Sequence, residues 1–528
     1  MNRFAEGYFL SSLAIWLLAS CAGYTALVLY TADVREVAIL TASFPSHWPA
    51  WGRVPLEFEK LRLVLLGTSI GLGTLGIVLA RYRRRHHQAP AASSSWWAKW
   101  QQRGRDVMRA WQVLPPQQRR LALVVFGVIT VLRFVVGRIL IAYDDSTSYK
   151  LFVSHSLLTV STWYPLPNNH IFSNTISWLF YQLYPGFWWS MRVPVLLFST
   201  VGTAMWFLGL LRRSNFRVAA LTVTLFSFLE TNLFYAAEGR GYAILMILSC
   251  LGFFCALRLT KVEAAAHRQT SNWAELVVIG TIGLYTVPTF TYFLATAYGW
   301  LGINWLFRGA YARLVSLGLL GCITLAGVAV LYTPLLLISG PASLFQNTYV
   351  KSLTAAAFWR ALPTYFVDSE GMLMGESAKG VISSFHLGIL AAVAVLVGFL
   401  LLLRAARQGH LSDRLATIVL SLGVPALWFV TMPYALMLVQ HVLTPNRTLA
   451  FKTIFMFLLV SLNVDWLLQR AGSQRRWLRT SIVVGTALWG SMQAVQFIHA
   501  NEHRIHLITN KLPVVKRLLT SSPEPIIE

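Results

Sequence analysis

Thirteen times along this chain an apolar run reaches, or comes close to, the ~20 residues that carry a helix across a bilayer. The runs are 8–30, 61–80, 121–141, 192–211, 217–236, 241–258, 273–290, 292–307, 314–338, 386–403, 414–433, 449–468 and 480–498. Inside lipid every backbone N–H and C=O needs a partner, and a helix supplies one from within the segment. A chain that is 56% hydrophobic and 12% charged has far more apolar surface than a soluble domain of 528 residues needs. The fold class expected is therefore all-α: a polytopic integral membrane protein of roughly 13 transmembrane helices, with amphipathic helices in its external loops. The pair 273–307 is the least regular, because Pro288 and Gly299 interrupt it.

The net charge of +24 raises the question of nucleic acid. The basic residues answer it by their placement, because they sit in short loops between apolar runs. "RYRRRHH" at 81–87, "LRRSNFR" at 211–217, "RLTK" at 258–261, Arg308 with Arg313, "RAAR" at 404–407 and "QRAGSQRRWLR" at 469–479 all fall on one side when the spans are counted. The positive-inside rule makes that side cytoplasmic. The partners expected are the lipid bilayer and no nucleic acid. Segments 142–191 and 339–385 then face outward.

Cys21, Cys250, Cys255 and Cys322 lie inside apolar runs and read as small buried hydrophobes rather than a disulfide framework or a metal site. "LLASC" at 17–21 resembles a lipoprotein cleavage box, but the run continues to about Tyr30, which favours a signal anchor. The stretch 88–120, with its tryptophans and arginines, reads as an interfacial helix on the inner leaflet. "GTSIGLGTLG" at 67–76 lies within a span, so its glycines point to helix packing rather than phosphate binding. There is no P-loop, no dinucleotide fingerprint and no convincing internal repeat. "HANEHRIH" reads as a continuation of the last helix.

One outward loop stands apart. It begins "YDDSTSYKLFVSHSLLTVSTWYPLPNNHIF" and ends "GFWWSMRVP", and it gathers Asp144, Asp145, Tyr149, His155, Asn168, Asn169, His170 and Arg192 among many aromatics. Two adjacent carboxylates at a membrane edge are electrostatically costly. Acids where a loop meets water are common, but their clustering with amides, a histidine and aromatics favours a site.

"YDDSTSY", "PNNHIF" and "MRVPVLLFSTVGTAMWFLGLL" resemble the first external loop and second core helix of the GT-C glycosyltransferases, most nearly the bacterial branch around the protein O-mannosyltransferases and the lipid A aminoarabinose transferase. "GRGYAIL" at 239–245 resembles that superfamily's Ala-Arg-x-Tyr stretch, and "TPNRTLAF" at 444–451 its Arg-bearing segment before a late helix. The resemblance runs from about 121 to 470. It divides the chain into residues 1–120, two leading helices and a basic interfacial segment; 121–470, a GT-C-like catalytic core; and 471–528, a last helix and short tail. Relatives often have Glu where Asp145 stands, and Lys-Pro-Pro where "PNNHIF" stands. They also lack the two leading spans. The resemblance implies a multi-pass enzyme of the bacterial inner membrane with its site facing outward. Its partners would be a polyprenyl-phosphate sugar donor and a lipid, glycan or protein acceptor.

Chemistry assigns roles within that reading. Moving a glycosyl group needs a base for the incoming hydroxyl and cations for the leaving phosphate. Asp144 is the expected base, its proton affinity raised by Asp145 and partial desolvation, with Asp145 orienting the acceptor or tuning Asp144. Arg240 and Arg447, at outward ends of spans, are the leading phosphate ligands. For each, a snorkelling arginine is the competing reading, and Glu238 is a ready partner for Arg240. His170 donates to phosphate, binds the acceptor or is a satisfied interfacial histidine; Lys351 and Lys379 are further candidate cations. Tyr149, Asn168 and Asn169 form the rest of the substrate loop. The stretch 339–380 reads either as a gate over the carrier or as an inert interfacial helix. Asp368, Glu370 and Glu376 lack a ligand-spaced partner set, so neither a required metal nor a cofactor is expected. The competing function is a transporter or flippase for a lipid-linked sugar.

Overall fold

The computed structural model describes residues 3–42, 55–86, 96–139, 143–164, 169–260, 266–345, 352–371 and 387–511. Every regular element among them is a helix, and a helix coincides with each of the thirteen apolar runs. The chain is an all-helical, polytopic membrane protein. Seven segments among the described residues are long and apolar enough to cross a membrane: Phe58–Leu79, Pro116–Arg138, Trp188–Arg213, Tyr242–Leu259, Tyr311–Ile338, Asp413–Gln440 and Lys452–Arg470. Phe216–Phe228 and Glu230–Ala237, bent by 73° at their junction, make an eighth if counted as one broken span. The expected thirteen is thus not reached on length and composition. Thr291–Phe307 is only 17 residues long, and Ala266–Thr286 opens on the polar sequence AHRQTSNWAE.

Proline sets the breaks. Pro288 offers no N–H to a continuing helix and restricts the residue before it. Ala266–Thr286 accordingly stops, Val287 is extended, and a 3-10 turn at Pro288–Phe290 leads into Thr291–Phe307. Gly299 does not interrupt that second helix; it lies within it, where an added Cβ would come 3.1 Å from Trp428.

The core is aromatic. Trp206, Phe253, Phe429 and Phe455, one from each of four spanning segments, are buried with ring centroids 4.8–5.8 Å apart. Such contacts hold helices together in lipid, where apolar burial alone gives no preference for helix over tail.

The leading helix Arg3–Tyr30 packs against Pro55–His86 and against Tyr311–Ile338. Tyr24 bonds Tyr285 hydroxyl to hydroxyl at 2.6 Å. After the first helix, Val34–Ala42 brings Glu36 to accept from the hydroxyls of Ser156 and Thr159 in the acid-bearing loop. At the other end of the bundle, Trp96–Gln112 is clamped to protein rather than resting on lipid alone. Arg103 and Arg258 both bind Glu275, at 2.5 and 2.6 Å, and Arg212 meets Asp106 at 2.8 Å. The last helix, Arg475–Lys511, does take in HANEHRIH.

Candidate active site

Where Pro116–Ile139 ends, the chain enters a one-turn helix, Tyr143–Ser148. Consecutive side chains on a helix leave it about 100° apart. Asp144 and Asp145 therefore point to different neighbours, and each meets its own guanidinium. Asp145 turns inward and is fully buried, with Arg192 Nη2 at 2.6 Å from its Oδ2. The Gly239 amide donates to the same oxygen at 3.3 Å. Burial pushes the Asp145 carboxyl up from its ordinary range, while Arg192, the Gly239 amide and Arg240 pull it back. Arg192, itself buried, also donates to the Ala237 carbonyl and lies against the rings of Phe187 and Trp188.

Asp144 remains 32% exposed. Its Oδ2 accepts from Arg240, which is buried, and lies 3.7 Å from Arg447 Nη1, which is 42% exposed. The two adjacent carboxylates are thus separately paired, which is how the site accommodates them.

Two of these partners, Gly239 and Arg240, come from one short strip, Glu238–Gly241, between the Glu230–Ala237 and Tyr242–Leu259 helices. Glycine on each side of Arg240 lets the strip press against the loop. A Cβ on Gly239 would stand 2.9 Å from Met191, and one on Gly241 2.5 Å from Thr286 and 3.2 Å from His170 Nδ1. The Gly241 amide donates to His170 Nδ1 at 3.0 Å, and Arg240 Nη2 lies 2.8 Å from His170 Nε2. Burial, then Arg240 and Arg447, hold the His170 ring well below its usual pKa, so it stays neutral. His170 thus lies against Arg240.

Arg447, beside this ion cluster, also lines a mainly apolar pocket. Tyr242, Met246 and Ser249 line one wall; Phe451 and Ile454 line another. A guanidinium in the lining of such a pocket suits an amphiphile with an anionic head. Among the described residues no group of three or more His, Cys, Asp or Glu could hold a metal ion.

No protein-family model matches the chain, and no curated protein does. Among solved structures it is similar to ArnT from Cupriavidus metallidurans. The form bound to undecaprenyl phosphate is 14% identical over 72% of this chain and 76% of that one, with a TM-score of 0.46. The apo form is 13% identical over the same shares, with a TM-score of 0.47.

Other expected site residues have different surroundings. Asn169 uses its side-chain amide on the Val160 and Trp163 carbonyls, at 2.8 and 2.9 Å, and accepts from Asn174 at 2.9 Å; it shapes the loop. Tyr149 is half-buried, edge-on to Tyr181 and Phe187, and burial pushes its phenol up to about 12. Asn168, Lys351, Glu376 and Lys379 lie outside the described residues. Two buried cations carry contacts that the sequence did not assign: Arg192, which it placed in the acid-bearing loop without a role, and Lys452, which it did not single out. Arg192, in "WWSMRVP", has the same helix-end signature that singled out Arg240. Lys452 starts the Lys452–Arg470 helix and donates to the Tyr434 hydroxyl and to Ser369 Oγ at 3.3 Å, tying Ala355–Gly371 to the bundle. Its only signal was a lysine directly after "TPNRTLAF".

Proposed function

We propose that this chain is a GT-C-type membrane glycosyltransferase. It moves a sugar from a polyprenyl-phosphate carrier to a lipid, glycan or protein hydroxyl on the extracytoplasmic face of the membrane. The single observation that carries the reading is that Asp144 shares one oxygen with Arg240 and Arg447, and that Arg447 also lines a mainly apolar pocket. A base, phosphate-binding cations and a place for a prenyl chain meet at one point. The motif order noted above and the positive-inside orientation support the same assignment.

In the reaction, the acceptor oxygen attacks the anomeric carbon and the bond from that carbon to the phosphate oxygen breaks. The electron pair leaves on the phosphate and the hydroxyl proton passes to Asp144. One displacement inverts the configuration. Arg240 and Arg447 play two roles in turn. Before the donor arrives they hold Asp144; once the phosphate arrives they bind its oxygens, where bidentate guanidinium pairing is strong. A carboxylate that loses cationic partners becomes a stronger base. Donor binding thus frees the base to meet the acceptor hydroxyl. His170 keeps Arg240 aimed, and Asp145 with Arg192 fixes the turn that presents Asp144.

The test is transfer by purified protein in detergent, given a radiolabelled polyprenyl-phosphate sugar and envelope lipids. Label moving into a new covalent partner supports the enzyme. Label that changes sides of a sealed vesicle without changing partner establishes the flippase reading instead. Within the same preparation, Arg447→Ala should weaken carrier binding by about tenfold or more, the loss of one charged hydrogen bond. Unchanged affinity would return Arg447 to the snorkelling class.

A further inference from the structure

Glu238 has no part in the chemistry above, yet it sits inside the ion cluster. It is 2% exposed, at the turn that ends the Glu230–Ala237 helix, and its Oε2 has no hydrogen-bond partner. Its neighbour Gly239 donates to Asp145, and Arg240, two residues on, pairs with Asp144, so the charges of Asp144, Asp145, Arg192 and Arg240 all act on it. The neighbouring Arg240 guanidinium turns elsewhere, donating to Asp144 and lying beside the His170 ring. A third carboxylate here, buried and beside two that are already ion-paired, is costly to ionise.

We infer that Glu238 is held as a neutral carboxylic acid and acts as a positioning residue that sets the charge of the donor-phosphate site. This rests on the reading of Arg240 and Arg447 as phosphate ligands. With Glu238 neutral, Arg192, Arg240 and Arg447 outnumber Asp144 and Asp145 by one positive charge, which matches a singly charged phosphodiester. Ionised, Glu238 cancels that charge and competes with the phosphate for Arg240. Burial pushes its carboxyl up to about 8; Arg240 opposes the shift, and Asp145 and Asp144 add to it. The sign follows. Below that value the site is neutral at Glu238 and takes the donor; above it the site gains a negative charge and releases the donor.

Two measurements on the full-length protein in detergent test this. The first is pH-dependent infrared difference spectroscopy. A protonated-carboxyl C=O band should be present at neutral pH, disappear as pH rises through about 8, and be missing from Glu238→Gln. The second is binding of a synthetic prenyl-phosphate glucose diester, whose single charge does not titrate in this range. Wild-type affinity should fall about tenfold across the transition, the equivalent of one pKa unit of interaction. Glu238→Gln should bind without that dependence, and Glu238→Asp should keep it. A wild-type spectrum lacking the band at neutral pH overturns the inference even where the variants do not fold. Equal pH dependence in wild type and Glu238→Gln overturns it alone. No binding of the diester at any pH overturns the donor reading and this inference together.

Discussion

Replacing Asp144 with asparagine is expected to lower sugar transfer by roughly 10²–10⁴-fold, the range in which a positioned general base contributes. The fold should survive. Asp144 is partly exposed, and its Arg447 partner is more exposed still, so the substitution buries no unpaired charge beyond Arg240, which keeps its contact with His170. Carrier binding should persist or tighten, because both arginines are then freed from a competing carboxylate. The combination of lost turnover, retained thermal stability and undiminished affinity for polyprenyl phosphate separates a base from a structural acid. Full activity in this variant removes Asp144 from catalysis, whatever its position.

The neighbouring residue should behave in the opposite way. Asp145→Asn removes the ion-pair partner of Arg192 where both are buried, and leaving one half of such a pair typically costs ~3–5 kcal/mol. Arg192→Ala should cost a similar amount. It also removes the donor to the Ala237 carbonyl, which ties the acid-bearing loop to the Glu238–Gly241 strip. Both single variants should show a large drop in unfolding temperature in detergent. The apolar double variant, Asp145→Leu with Arg192→Met, should regain much of the loss, since no charge is then left unpaired. Arg192→Lys should rescue poorly, because one ammonium cannot reproduce the forked contacts to carboxylate and carbonyl. Single variants as stable as wild type would show that this pair does not anchor the site. The prediction splits two residues that are identical and adjacent: one substitution acts on rate, the other on stability.

The stability of the wild type should also depend on pH through Glu238. Its carboxyl binds a proton more tightly in the folded protein, up to about 8 from an ordinary 4.5. The unfolded chain therefore loses that proton first as pH rises, and stability falls from about 4.5 to about 8 before levelling. Glu238→Gln should be more heat-stable than wild type near pH 8, with the difference shrinking toward pH 4.5, read by thermal unfolding at each pH.

Much of the architecture was legible from residue order alone. Apolar runs near bilayer length have one way to satisfy their backbone in lipid, and loop charge has one preferred side, so helices and a consistent topology follow from composition along the chain. Pro288 also showed its break, because a missing N–H acts locally. The choice of Asp144, Arg240 and Arg447 as interacting groups was reachable for a similar reason: ionised groups at span ends are few, and each needs a partner. What stayed hidden was which partner each group takes. Asp144 and Asp145 differ in fate only because adjacent helical side chains diverge, one toward Arg192, 47 positions further on, and the other toward Arg240, on a strip brought close by two glycines.

The sequence by itself determined that this protein is a bundle of helices in a membrane, with acids and arginines at the span ends, because those properties depend on local periodicity and on the bilayer as solvent. Only the tertiary structure decided that Asp145 is buried while Asp144 is open, that His170 holds an arginine, and that Glu238 lies among them. Those outcomes depend on contacts between segments far apart in the chain, and burial, which sets the electrostatic cost of each charge, exists only once the segments have packed.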